Sequence, residues 1–184
     1  MATHALVSIL CPDDLGLIAA ITGHLNDDLG ANLADTTFAV LGGGAEFTAV
    51  CEMPDEVTPD RAEASLRSLP LLAGAEIQVT PFELQPVHGP TGRITHRIVL
   101  RGGDRPGLIA RLSEIFIQFN ANIVRLNAEK VADPDGGDYI IRLAVSIPEK
   151  SVQSCLAAVT SVAGQLRMSC SYRVASEAVA PPRG

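Results

Sequence analysis

Apolar residues along this chain alternate, then fall every third or fourth position, then alternate again, and the whole order occurs twice. Ala5–Leu10 is a strand-like apolar run. Leu17, Ile21, Leu25 and Leu29 then recur every four residues, with Ile18 widening the stripe. That spacing predicts an amphipathic helix, which Gly30 is placed to end. Asn32–Leu41, rich in Thr, Phe and Val, predicts a second strand, and Gly42–Gly44 a hairpin turn. In Glu46–Met53, the residues Phe47, Ala49, Cys51 and Met53 share one face of a third strand. Thr58 as N-cap and Pro59 at the first helical position open a second helix, which runs to about Leu69 and stops at Pro70. Glu76–Thr80 alternates as a fourth strand.

From Ile94 the order repeats. Ile94, His96, Ile98 and Leu100 alternate with Thr95, Arg97, Val99 and Arg101. Leu108, Leu112, Ile115, Phe116 and Phe119 line one side of a helix. Asn122–Val131 predicts a strand, Asp133–Asp138 a Gly-rich turn, and Tyr139, Ile141, Leu143, Val145 and Ile147 one face of the next strand. Ser151–Ala163 predicts a helix, and Leu166, Met168, Cys170, Tyr172 and Val174 the inner face of a last strand. Each half therefore reads βαββαβ. The fold class is α+β: two ferredoxin-like units, each an antiparallel four-stranded sheet with two helices on one face. First and third strands are central in such a sheet, second and fourth are edges. The other face carries Thr, Ser, Arg and Glu and is free to meet water or a partner. The boundaries expected are residues 1–84, a Pro/Gly linker at 85–92, residues 93–175, and a disordered tail at 176–184.

The repeat is also literal. Asp13-Asp14-Leu15-Gly16-Leu17-Ile18-Ala19 matches Asp104-Arg105-Pro106-Gly107-Leu108-Ile109-Ala110 at an offset of 91 residues. The Ala31-Asn32 and Ala121-Asn122 pairs match at an offset of 90, so one helix position has been gained or lost. A repeat this long is a domain, well beyond the roughly 20–50 residues of a solenoid unit. The two copies use nearly all of the 184 residues, which leaves little for a catalytic domain, and no enzyme is expected.

Composition narrows the function classes. A hydrophobic content of 47% supplies ample core. Net charge is −7, only Lys130 and Lys150 are lysines, and no basic stripe runs along the chain. Direct nucleic-acid binding is not expected on that ground, although action on transcription through a partner protein remains open. The first residues show no secretory pattern and the longest apolar runs fall short of a membrane span, so a cytoplasmic protein without membrane contact is expected. Cys11, Cys51, Cys155 and Cys170 are scattered, and no His stands at ligand spacing from them. They read as buried free thiols, with no metal or cofactor expected. His96 falls on the inward register of its strand and reads as a hydrogen-bonded, partly buried side chain.

With βαββαβ twice, Asp-x-x-Gly-Leu-Ile at each first turn and Ala-Asn before each second strand, the chain resembles the ACT family of small-molecule-sensing domains. Gly102-Gly103-Asp104-Arg105-Pro106-Gly107-Leu108 is similar to that family's usual first loop, while Cys11-Pro12-Asp13-Asp14-Leu15-Gly16-Leu17 departs from it. Two such repeats with no attached enzyme resemble the glycine cleavage system transcriptional repressor group, as does Phe38-Ala39-Val40-Leu41 followed by Glu46-Phe47-Thr48. The resemblance implies an amino acid effector bound beside the first loop, at an interface between two such units, and a regulatory protein partner. Candidate ligand contacts are Asp104, Arg105, Gly107, Leu108 and Asn122, and Asp13, Gly16, Leu17 and Asn32. The unpaired second and fourth strands predict that the two units, or two chains, join sheets or pack helix on helix, and a homodimer is expected.

The residues themselves leave alternatives open. Gly16 and Gly107 suit a tight strand-to-helix turn, and equally the approach of a carboxylate to helix N–H groups. Asp13 and Asp104 suit capping or turn roles, or acceptance of a bond from a ligand ammonium. Asn32 and Asn122 suit turn geometry, or an amide that holds a ligand's polar ends. Arg105 has Asp14 as its counterpart and reads as solvated or salt-bridged.

Overall fold

The computed structural model describes residues 3–85, 89–131 and 138–175. The expected turn at 133–137 and tail at 176–184 lie outside them. The chain divides into two compact units, Met1–Val87 and His88–Gly184. Unit 1 runs β1 (Thr3–Pro12), α1 (Leu17–Gly23), β2 (Asn32–Leu41), β3 (Gly44–Met53), α2 (Pro59–Arg67) and β4 (Glu76–Pro81). Unit 2 runs β5 (His96–Gly102), α3 (Leu108–Gln118), β6 (Asn122–Val131), β7 (Asp138–Ser146), α4 (Val152–Gln165) and β8 (Met168–Val174). The sheet orders are β2-β3-β1-β4 and β6-β7-β5-β8, with every pairing antiparallel.

Alternation in the sequence becomes two faces in each sheet. In β1, Ala5, Val7, Ile9 and Cys11 point to the core while His4, Leu6, Ser8 and Leu10 point outward. The helices cover the inner faces, and the cores are separate: Phe47, Ile21 and Leu66 anchor one, Phe116, Leu112 and Ile141 the other. Thr58 caps α2, its hydroxyl accepting from the Arg61 N–H at 3.3 Å with Pro59 following. Thr58→Ala should cost about 1 kcal/mol, read as a lower urea midpoint for unit 1 with an unchanged slope.

Three expectations need correction. The first helix is not uniformly α: its last turn, His24–Asp28, is a π-turn. Leu17, Ile21, Leu25 and Leu29 are all buried. A spacing of four overshoots the 3.6-residue turn by about 40° at each step, and a wider turn takes up the surplus. The π-turn also holds the extra residue that makes the two repeat offsets differ. Ile18 is 45% exposed and does not join the stripe. At the far end of β8 the expected inner face is uncovered, with Tyr172 53% and Val174 72% exposed.

Side chains from α2 engage two backbone groups on the β4 edge. Glu63 Oε2 accepts from the Val79 N–H at 3.2 Å, and the Arg67 guanidinium donates to the Ile77 carbonyl at 2.7 Å. Arg67 and Glu63 also pair with each other at 2.9 Å. The Arg67 bond, then the Val79 N–H, hold the Glu63 carboxyl below the usual carboxylate range. Strand addition at this edge has no free partner at those two groups.

Candidate functional site

The strand-to-helix turns are built alike. Gly16 (φ 85°, ψ 2°) and Gly107 (φ 80°, ψ 6°) occupy the N-cap position in left-handed backbone, and no side chain caps either helix. Their glycines are required by φ, because a Cβ at either position would meet nothing within 4 Å. The space over both turns is therefore open. In α3 the Arg111 N–H is bonded to the Gly107 carbonyl at 3.0 Å. The N–H groups of residues 108–110 precede that bond and have no acceptor within the helix, as at any helix start.

Neither aspartate caps its helix. Asp104 pairs with Lys130 at 3.5 Å, across from β6, and both are exposed. Lys130 is a neighbour of this turn that no sequence motif marks, since only pairing of β6 against β7 brings it there. In unit 1 the Asp13 N–H is bonded to the Gly43 carbonyl at 3.2 Å, which ties the turn to the β2–β3 hairpin. Asp14 folds back on the Leu15 N–H at 2.7 Å, and Leu15 is left 95% exposed. Arg105 is exposed, with no ion pair among the described residues. Leu17 and Leu108, at 2% exposure each, are core residues with their side chains turned inward.

The asparagines do not join their own unit's turn. Asn122 follows α3, whose 11 residues span about 16 Å, so it lies at the opposite end of that helix from Gly107. Its amide donates to the Thr91 carbonyl at 3.0 Å and holds the short turn Pro90–Gly92. Asn32 lies likewise at the far end of the first helix, exposed and with no side-chain bond among the described residues. A groove of about 630 Å³ also sits at that far end of unit 2, between Ile94, Ile147, Val152 and Val174, with His96 at its floor. His96 is 7% exposed and meets the Thr95 hydroxyl at 3.0 Å, as its strand register implied.

One line of side chains went unseen in sequence. His24 Nδ1 lies 2.6 Å from Asp28 and its Nε2 2.9 Å from the Ser65 hydroxyl. The order is that of an acyl-transfer triad, but Ser65 stands inside α2, where backbone N–H groups are used by the helix and none is left as an oxyanion donor. The line fastens the π-turn to α2. Cys11, Cys51 and Cys155 are buried free thiols, with burial pushing Cys51 up to about 11, whereas Cys170, expected to be buried, is half-buried on β8. Among the described residues no group of His, Cys, Asp or Glu is placed to hold a metal. No helix there is long and apolar enough to cross a membrane.

Comparison with solved structures agrees with this architecture. A protein of unknown function from Galdieria sulphuraria superposes with a TM-score of 0.73 at 19% identity, over 96% of this chain and 100% of that one. A proposed glycine cleavage system transcriptional repressor superposes with a TM-score of 0.63 at 14% identity, over 96% and 99%. No family model and no curated protein matches the sequence. The chain shares the fold of these structures, two ferredoxin-like units in one polypeptide.

Proposed function

We propose that the chain is a cytoplasmic regulatory protein that senses an amino acid and signals by protein contact, without catalysis of its own. The observation that supports this most directly is the Asp104–Gly107 turn. Open space, the free N–H groups at the α3 start and an exposed Asp104 together offer one place for a carboxylate and one for an ammonium. The ligand's ammonium would displace Lys130 from Asp104. The fold is shared with a protein proposed to repress glycine cleavage genes, and regulation of that pathway is the corresponding biological reading here.

The test is calorimetry of the full chain against the twenty amino acids, repeated with Asp104→Ala. Loss of a bond to a charged group should weaken binding by about ten- to a hundred-fold. Binding unchanged in Asp104→Ala would move the site to the Asp13–Gly16 turn or to the groove beside His96. A second reading is a ligand-free interaction module. It is favoured by the engagement of Asn122 with Thr91 and by the burial of Leu17 and Leu108. No heat with any amino acid would support it.

A further inference from the structure

The net charge of −7 hides a division. Residues 1–87 carry two basic and thirteen acidic side chains, net −11, whereas residues 88–184 carry twelve and eight, net +4. The sheets concentrate that division on their outward faces. On the second sheet the cross-strand register sets Arg125 (β6), Ala144 (β7), Arg97 (β5) and Arg173 (β8) in one row. Arg142 lies in the next row on that face and Arg101 in the one after. All five arginines are exposed. Arg142 pairs with Glu129 and Arg101 with Asp138, but Arg97, Arg125 and Arg173 have no ion pair among the described residues. Arg97 and Arg173 are directly opposite, an arrangement that destabilises a sheet unless an anion compensates it. No basic run exists in the sequence because these arginines come from four strands.

The outward face of the first sheet is the complement. Glu46 (β3), Leu10 (β1) and Glu76 (β4) form one row, and Glu52 opposite His4 completes the set. These glutamates are exposed, have no ion pair among the described residues, and share the face with no Lys or Arg. Each face also bears an exposed apolar residue among its charges, Leu10 at 47% and Val99 at 38%, as an interface with an apolar centre and charged rim requires.

We propose that the arginine face of one copy docks on the glutamate face of a second copy, so that a twofold pair makes the same contact twice. A four-stranded face this size covers roughly 400 Å². Two reciprocal contacts use four such faces and bury roughly 1,600 Å², the size of a stable interface. Isologous pairing closes at two copies. The proposal does not depend on a ligand at the Asp104 turn.

The experiment is sedimentation of the full chain at micromolar concentration with two double variants, Arg97→Glu/Arg173→Glu and Glu46→Arg/Glu76→Arg. Wild type should dimerise at about 50 mM salt, with a dissociation constant at least about ten-fold higher at about 500 mM. Each variant alone should associate about a hundred-fold more weakly, because like charges then face each other. An equimolar mixture of the two should dimerise again, since both of its contacts regain opposite charges. Circular dichroism checks folding, and Arg97→Gln/Arg173→Gln replaces the first variant if the reversal disturbs the sheet. Overturning results are a wild type that is monomeric at low salt, variants that dimerise like wild type, or folded variants whose mixture stays monomeric. A monomeric wild type that is retarded on duplex DNA overturns it too and gives the arginine face to nucleic acid.

Discussion

Phe116→Ala is expected to unfold unit 2 at markedly lower denaturant while unit 1 keeps its wild-type midpoint. Phe116 is 1% exposed on α3 and packs in the cluster that includes Leu112, Ile141 and Val159. Truncation removes the ring's transfer free energy and leaves a cavity, together about 3–5 kcal/mol. That is a large fraction of what holds a domain of this size together. Phe47→Ala should do the reverse, because Phe47 is 1% exposed in the other cluster, which shares no residue with the first. Hydrogen exchange followed by mass spectrometry, peptide by peptide through a urea series, reads both units in one sample. Equal loss of protection in both units from either substitution would show one cooperative unit in place of two.

Gly102→Val should be the most damaging glycine substitution in the second unit's loop, by about 3 kcal/mol, while Gly103→Ala next to it should be near neutral. A Cβ on Gly102 would stand 3.0 Å from the Arg167 carbonyl and 3.1 Å from the Met168 Cα. Both are backbone, and Arg167 is already held at a left-handed φ of 57°. The loop has no room to withdraw, so added bulk forces the β5–β8 pairing apart. A Cβ on Gly103 meets nothing within 4 Å. Thermal unfolding of the two variants, side by side, measures the contrast. Equal effects would mean that this glycine pair is set by chain flexibility instead of by contact with β8.

These two glycines show how far the sequence could be read. Gly102 and Gly103 are neighbours in one motif, and only the strand that arrives some 65 residues later distinguishes them. Strand-type residues between turn signals were enough to bound β2 and β6, Asn32–Leu41 and Asn122–Val131, and the βαββαβ order placed the first and third strands at the centre of each sheet. It worked because residue type and turn chemistry are local properties, although neither strand alternates strictly between buried and exposed positions. The proposed site was less legible. The turn and the Ala-Asn pair are both regular features of the repeat, yet a helix of about 16 Å separates them, so their coincidence in sequence is not proximity. Lys130, Ser65 and the arginine face depend on pairing and packing between distant segments, which no spacing announces. The π-turn lies between these cases. Two repeat offsets that differ by one residue showed that a residue had been inserted, and the four-residue leucine spacing was compatible with a wider turn, but neither fixed where it would form.

The clamp from Glu63 and Arg67 has a consequence for growth. A ferredoxin-like sheet with two bare edges can be extended from both sides, and identical copies added that way make a fibre. In unit 1 the Val79 N–H and the Ile77 carbonyl are already engaged by α2 side chains that stand where an added strand would lie, which leaves β2 as the open margin. Elongation through this sheet therefore has one valence. Two copies that meet through β2 exhaust it, and polymerisation by that route terminates at its first step.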